Sequence, residues 1–238
     1  MAAAIFERLV DDLSKEPFMA EFKYLKSKSR FVDTRNDVKN TILFTRWADG
    51  LGFLIVTPEY EVRYESIMKW IEKFSYKHAS YLKYDYNVGY VGNMLNMIRD
   101  FKLELDGANY RALYPVIRDT IKYCASYVFT RYDSLEHYFE YDVLPKITGE
   151  EALPKDGADW ILEYLAACKL VAPQMYPEFK RKIVAHIDEM YLYVNGRKIR
   201  EGNVAKYDGR WDEIFDYLEN TDIANLPKRG KKVTNRLP

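Results

Sequence analysis

Two apolar runs, NTILFTRW at residues 40–47 and LGFLIVT at 51–57, are joined by Ala48, Asp49 and Gly50. Their reading decides the fold. Both runs are rich in β-formers, and Asp-Gly between such runs is a strong hairpin signal. After Pro58, the stretch EYEVRYE at 59–65 alternates strictly. Tyr60, Val62 and Tyr64 point one way; Glu59, Glu61, Arg63 and Glu65 point the other. That pattern predicts a half-buried strand with a wet face. SIMKWIEKF at 66–74 then switches period and puts Ile67, Trp70, Ile71 and Phe74 on one helical stripe.

Working outward, Phe6, Leu9, Val10 and Leu13 follow the i, i+3, i+4, i+7 spacing of an amphipathic first helix, which Pro17 ends. EFKYLKSKSRFV at 21–32 reads as a basic, irregular strand at a sheet edge, where lysines discourage stray pairing. Downstream of the hairpin, SYLKYDYNVGYVGN at 80–93 is dense in tyrosine. Its alternation predicts an extended segment. Tyr84, Tyr86 and Tyr90 would pack on the helix of Trp70 and Phe74, rather than form a base-stacking platform. Gly89 and Gly92 read as a turn or bulge.

From about residue 106 the pattern is helical. Pro115 suits a first helical turn, with Leu113, Ile117, Ile121, Cys124 and Val128 on one stripe. Asp133–Glu136 resembles a capping box opening a short helix stopped near Pro145. Ile161, Leu165, Cys168 and Val171 or Ala172 mark the next helix, and EFKRKIVAHIDEMYLYV another. Asn195-Gly196 fits a helix C-terminus followed by an extended piece, or a tight hairpin turn, the former being preferred. Trp211, Ile214, Phe215 and Leu218 mark a last short helix. The expected class is α+β: an N-terminal, mainly antiparallel sheet with packed helices, then a helical C-terminal half. The expected division is an α+β part at 1–105, a helical part packed on it at 106–192, and an extension with a short helix and basic tail at 193–238. All three together also fit one domain.

Composition narrows the function. The chain has 238 residues, 36 basic and 36 acidic, so its formal net charge is zero. A dedicated nucleic-acid binder shows a basic excess, because phosphate neutralisation supplies most of its affinity. Specific nucleic-acid recognition is therefore not expected. The tail residues Lys228, Arg229, Lys231, Lys232 and Arg236 would give at most weak, salt-sensitive attachment. Zero net charge is also compatible with homo-oligomers. No apolar run is long enough for a membrane span, and the start lacks the pattern of a signal peptide. Cys124 and Cys168 sit in apolar helical patterns without a CxxC, so they read as buried thiols in a reducing, cytoplasmic setting.

Catalytic signatures are missing. There is no HExxH, no Glu-x-x-His pair, no Cys/His cluster, no G-x-S-x-G, no phosphate loop and no G-x-G-x-x-G. Neither a metal nor a cofactor is expected, and no catalytic residue can be named. Of the three histidines, His137 shares a helix face with Asp133, and His186 with Glu189. Either pair could orient an imidazole, though such pairs are commonly surface ion pairs. His78 has no such partner in its pattern. The 21 tyrosines favour another class, because tyrosine supplies contact area at low entropic cost. We therefore expect a non-enzymatic cytoplasmic module that binds a protein through Glu59, Glu61, Arg63, Tyr81 and Tyr90. The alternative is a small-molecule hydrolase or other enzyme with a His/carboxylate site outside known motifs.

FERLVDDL at 6–13, the lysine-bearing strand near Phe22 and Lys23, the hairpins, and FTRYDSLEHYFEYDVLP at 129–145 together resemble a group of uncharacterised bacterial α+β proteins of unknown function. The likeness spans roughly residues 5–190 as a pattern of apolar positions. It implies the fold and, by association, a toxin–immunity or phage-defence setting. It implies no site residue.

Overall fold

The computed structural model describes residues 2–48, 54–75, 103–105, 108–153, 159–190, 193–194, 197–198 and 210–222. The chain is α+β, as the period switch predicts. It divides into two compact units, each discontinuous in sequence. The first takes residues 1–64 and 87–137; the second takes 65–86 and 138–238.

The first unit opens with α1 (Ala2–Ser14), then β1 (Lys23–Leu25), β2 (Arg30–Arg35), β3 (Val38–Ala48) and β4 (Leu54–Tyr64). The order in the five-stranded antiparallel sheet is β1-β2-β3-β4-β5, so the lysine-bearing β1 does lie at an edge. The expected hairpin pairs Ala48 with Leu54 and runs to Val38 and Tyr64; its Asp-Gly turn lies outside the described residues. A second hairpin, unmarked in the sequence reading, joins Arg35 to Val38 through Asn36 and Asp37. Asn36 has φ 52°, a left-handed conformation that asparagine tolerates in tight turns.

β4 runs unbroken through Pro58, which pairs with Phe44. Proline is normally kept from strand interiors because it cannot donate to a ladder. Here β5 (Leu103–Leu105) covers β4 only at Leu54–Val56, so no second ladder among the described residues reaches Pro58.

Strict alternation makes one sheet face the core. Phe31, Ile42, Phe44, Tyr60, Val62 and Tyr64 are buried. Two helices cover them: α1, through Phe6, Leu9 and Leu13, and α3 (Tyr110–Arg131), through Ile117, Ile121, Cys124 and Val128. Phe6 meets Phe44 edge-on, with ring centroids 5.9 Å apart. Leu113, expected in this stripe, is only half-buried. Because α3 starts at Tyr110, Pro115 lies inside it rather than in a first turn. The carbonyls near it lose one ladder bond, and packing of the apolar stripe outweighs that local cost.

The other sheet face corrects an expectation. Cross-strand pairs Lys39–Arg63 and Thr41–Glu61 place these residues opposite the core face, as alternation requires. Yet Glu61 is only 8% exposed and Arg63 only 3%. The predicted wet face is thus covered at both positions, and Glu59 is only half-exposed. Alternation assigns a side chain to a face, but it carries no information about what lies over that face.

The chain passes from the first unit to the second at the end of α4 (Leu135–Tyr138), and the second unit contains α2 (Glu65–Ser75), a π-helical turn (Phe139–Val143), α5 (Leu144–Thr148), α6 (Asp159–Val171), α7 (Tyr176–Met190), the strand pair β6 (Tyr193–Val194) and β7 (Arg197–Lys198), and α8 (Trp211–Asn220). Its centre is α6, where Ile161, Leu162, Leu165, Ala166, Ala167 and Cys168 are buried nearly all round. α2 and α7 both pack on it. On α2, Ile67 and Trp70 are buried as the stripe predicts.

Three local expectations change here. Ser134, not Asp133, caps α4: its hydroxyl accepts the His137 backbone N–H at 3.2 Å. Pro145 does not stop the helical run, which continues to Thr148, because the π-helical turn before it resets the ladder. α7 ends at Met190 and Val194 pairs with Arg197, so the residues before Asn195-Gly196 form a strand rather than the end of a helix, while Asn195-Gly196 itself lies outside the described residues.

Candidate functional site

A cleft enclosing about 840 Å³ opens in the first unit. Four parts of the chain build it. The β2–β3 hairpin contributes Asp33, Arg35, Asn36, Asp37 and Asn40. One flank of α3 contributes Lys122, Ser126, Phe129 and Thr130, and the segment around the start of α4 contributes Asp133 and Glu136. Phe18 and Phe22, from the link between α1 and β1, complete the lining.

Each is there for a local reason. On the hairpin, Asp33 and Asn40 are cross-strand partners on the core face, at the end where the apolar core gives way to polar residues. On α3, Phe129 falls beside the core stripe, half-buried. The Phe22 and Phe129 rings lie 5.8 Å apart, and Phe129 meets Tyr60 at 6.3 Å. The floor is therefore aromatic and partly accessible, while the walls are polar.

Carboxylates dominate the wall charges. Asp33, Asp37, Asp133 and Glu136 face two cations, Arg35 and Lys122. Asp33 is buried and joined to Arg35 at 2.7 Å. Asn40 Oδ1 is buried and meets no hydrogen-bond donor among the described residues.

Outside the rim, α3 shows large side chains to solvent. Tyr123 is 63% exposed and Tyr127 41%, with Val116 also exposed. Tyr123 and Tyr127 each stand three residues before a cleft-lining position, Ser126 and Thr130, and so are neighbours of the cleft wall on the helix surface. The Arg131 guanidinium donates to the Tyr127 hydroxyl at 3.3 Å.

The other sequence candidates lie elsewhere. His137 Nδ1 is 2.7 Å from Asp133 Oδ1, confirming the i, i+4 pair, but its side chain is 43% exposed and does not line the cleft. His186 stacks obliquely near Trp160, centroids 5.8 Å apart. Tyr81, Tyr84, Tyr86, Tyr90, His78 and the basic tail residues Lys228, Arg229, Lys231, Lys232 and Arg236 lie outside the described residues. Both thiols are buried; burial raises the Cys124 pKa and pushes Cys168 up to about 12, which keeps both protonated and poorly nucleophilic near neutrality. Among the described residues, no group of three or more His, Cys, Asp or Glu is placed to hold a metal ion. Nor is any helix among them long and apolar enough to cross a membrane.

A smaller groove of about 400 Å³ in the second unit runs between α7 and α8. Val184, Ile187, Trp211 and Phe215 line it, beside Asp212, Asp216 and Glu219. Lys180 bonds Glu219 at 2.5 Å and sits 5.0 Å over the Phe215 ring, tying the two helices together.

Sequence reasoning missed the Asn36-Asp37 turn and the exposed tyrosines. Both had a signal. Asn-Asp between two alternating runs is turn chemistry, and Tyr123 and Tyr127 fall off the α3 core stripe at i, i+4 spacing. The meeting of Phe22 with Phe129 had none, being a contact across 107 residues of chain.

Comparison with protein families, with curated proteins and with solved structures finds no match for this chain.

Proposed function

We propose that this is a cytoplasmic, non-enzymatic module that recognises a protein partner through the first unit. The observation that carries the reading is the juxtaposition of exposed Tyr123 and Tyr127 with an aromatic-floored cleft. Tyrosines that protrude from a rigid helix offer large contact area with two rotatable bonds to immobilise. A half-buried aromatic floor beside them supplies the dry centre that interfaces need. Toxin–immunity and phage-defence proteins are the first partners to test.

The test is affinity capture by the full chain beside its Tyr123→Ser/Tyr127→Ser variant. A protein held by the wild type and lost by the variant, with the melting temperature unchanged, supports the reading. Equal capture by both chains sinks it.

The Asp133–His137 pair supports a second reading, a hydrolase. Asp133 holds the imidazole through Nδ1, the arrangement that orients a ring for proton transfer. Ester or amide turnover abolished by His137→Gln would establish that reading in place of the first.

A further inference from the structure

We propose that the outer face of α3 pairs with α3 of a second copy of this chain, the two helices running antiparallel. This inference rests on the protein-binding reading and names a partner for Tyr123 and Tyr127.

The shape of that face carries the argument. With about 3.6 residues per turn, Ala112, Val116, Thr120, Tyr123 and Tyr127 lie within about 80° of one another on the helix surface, clear of the buried stripe. Val116 is 52% exposed, and Ala112 is exposed beside it. Size is sorted along the axis: the first three residues are small or branched, and the last two are large rings. A parallel copy would set rings against rings. An antiparallel copy, turned end for end about the midpoint of α3, sets the rings of one helix against the small residues of the other. Tyr123 then drops between Thr120 and Val116 of the second copy, and Tyr127 between its Val116 and Ala112. That is knobs-into-holes packing, repeated twice by the two-fold axis.

Charge agrees with the same register. Asp119 and Lys122 are both exposed and stand at equal distances on either side of the helix midpoint. The two-fold therefore brings Lys122 of each copy level with Asp119 of the other, on the same flank of the pair. Asp119 already accepts from Arg118 Nε at 2.8 Å, a surface contact that leaves its side chain 65% exposed. At the ends, exposed Arg111 of one copy meets the end of the other's α3, just beyond which Glu136 is exposed. The five face residues themselves carry no charge, so a second copy covers them at little desolvation cost. The overlap of the 22-residue helices is about 33 Å long. One helix pair is at the small end of specific interfaces, so the pairing is reversible, with a Kd in the micromolar range.

Sedimentation velocity of the full chain, from low to high micromolar concentration, should show a monomer–dimer equilibrium. Tyr123→Ser/Tyr127→Ser should weaken the dimer by roughly thirtyfold or more, the scale of losing a central interface tyrosine. Val116→Asp, also at an exposed position, should weaken it as well and serves in case the first pair unfolds. Asp119→Lys and Lys122→Asp should each weaken the dimer, and the chain carrying both should recover, because the swap restores opposite charges across the axis. A chain monomeric throughout, a dimer unmoved by the folded face variants, or a swap that does not recover overturns the inference. If capture of another protein still depends on Tyr123 and Tyr127 in that event, the protein-binding reading survives alone. If that capture fails too, both fall.

Discussion

The two units use tyrosine in different ways. In the first, hydroxyls bridge elements distant in sequence: Tyr64 donates to the Tyr132 carbonyl at 2.9 Å, Tyr110 to Asp12 at 2.7 Å, and Tyr114 to Glu16 at 2.8 Å. Tyr110 lashes α3 to α1 and Tyr114 lashes it to the turn just after α1, and the Arg8 guanidinium caps the Tyr110 ring at 4.3 Å. In the second unit the ring face matters more. Lys146 lies 5.3 Å over Tyr164, and Lys169 4.8 Å over Tyr176. The Tyr176 hydroxyl is buried and meets no hydrogen-bond partner among the described residues. Tyr64, Tyr110 and Tyr114 thus act as polar clamps in the sheet unit, whereas Tyr164 and Tyr176 offer their ring faces to lysines in the helical one. Among the described residues these tyrosines are architectural, while Tyr123, Tyr127 and Tyr141 are exposed.

The sharpest way to break this contrast is at Tyr64. Tyr64→Ala removes a fully buried ring and should cost about 3–5 kcal/mol, as large-to-small core changes do. Denaturant unfolding measures it, and a loss below ~1 kcal/mol would mean that the site collapses freely. Tyr64→Phe keeps the ring but removes the hydrogen bond to the buried Tyr132 carbonyl. It should cost about 0.5–1.5 kcal/mol, the net worth of one such bond.

A smaller effect is expected at the α1–α3 clamps. Burial foremost, and then the Asp12 and Glu16 carboxylates, raise the pKa of Tyr110 and Tyr114 well above the usual tyrosine value. Both hydroxyls are neutral in either state below pH ~10. Above it the unfolded chain ionises while the folded one resists, so the folded state binds more protons and stability falls as pH rises. Unfolding followed from pH 8 to 11 should show this decline, and it should be shallower in Tyr110→Phe/Tyr114→Phe. An equal slope in that variant would assign the decline to other groups.

The smallest effect should come from Tyr176→Phe. Its hydroxyl has no hydrogen-bond partner among the described residues, so the change should stay within about 0.5 kcal/mol or stabilise. A larger loss would show that the helical unit also relies on hydroxyl clamps, and the contrast would disappear.

Local pattern determined much of this protein by itself. The stripe Phe6, Leu9, Val10, Leu13 is buried, and so are Ile117, Ile121, Cys124 and Val128. The β3–β4 hairpin pairs as the apolar runs foretold, and Ile214, Phe215 and Leu218 of α8 are inside. These depend on periods of 3.6 and 2, which any window of about ten residues displays. Tertiary structure decided the rest. It buried Glu61 and Arg63 on a face that alternation marked as wet. It carried a helix past Pro115, and it joined β2 to β3 through a turn whose signal was too short to stand out. Above all it assembled the cleft from residues 18–40 and 122–136. Periodicity says which side of an element is apolar; what comes to rest against that side depends on contacts between distant parts of the chain.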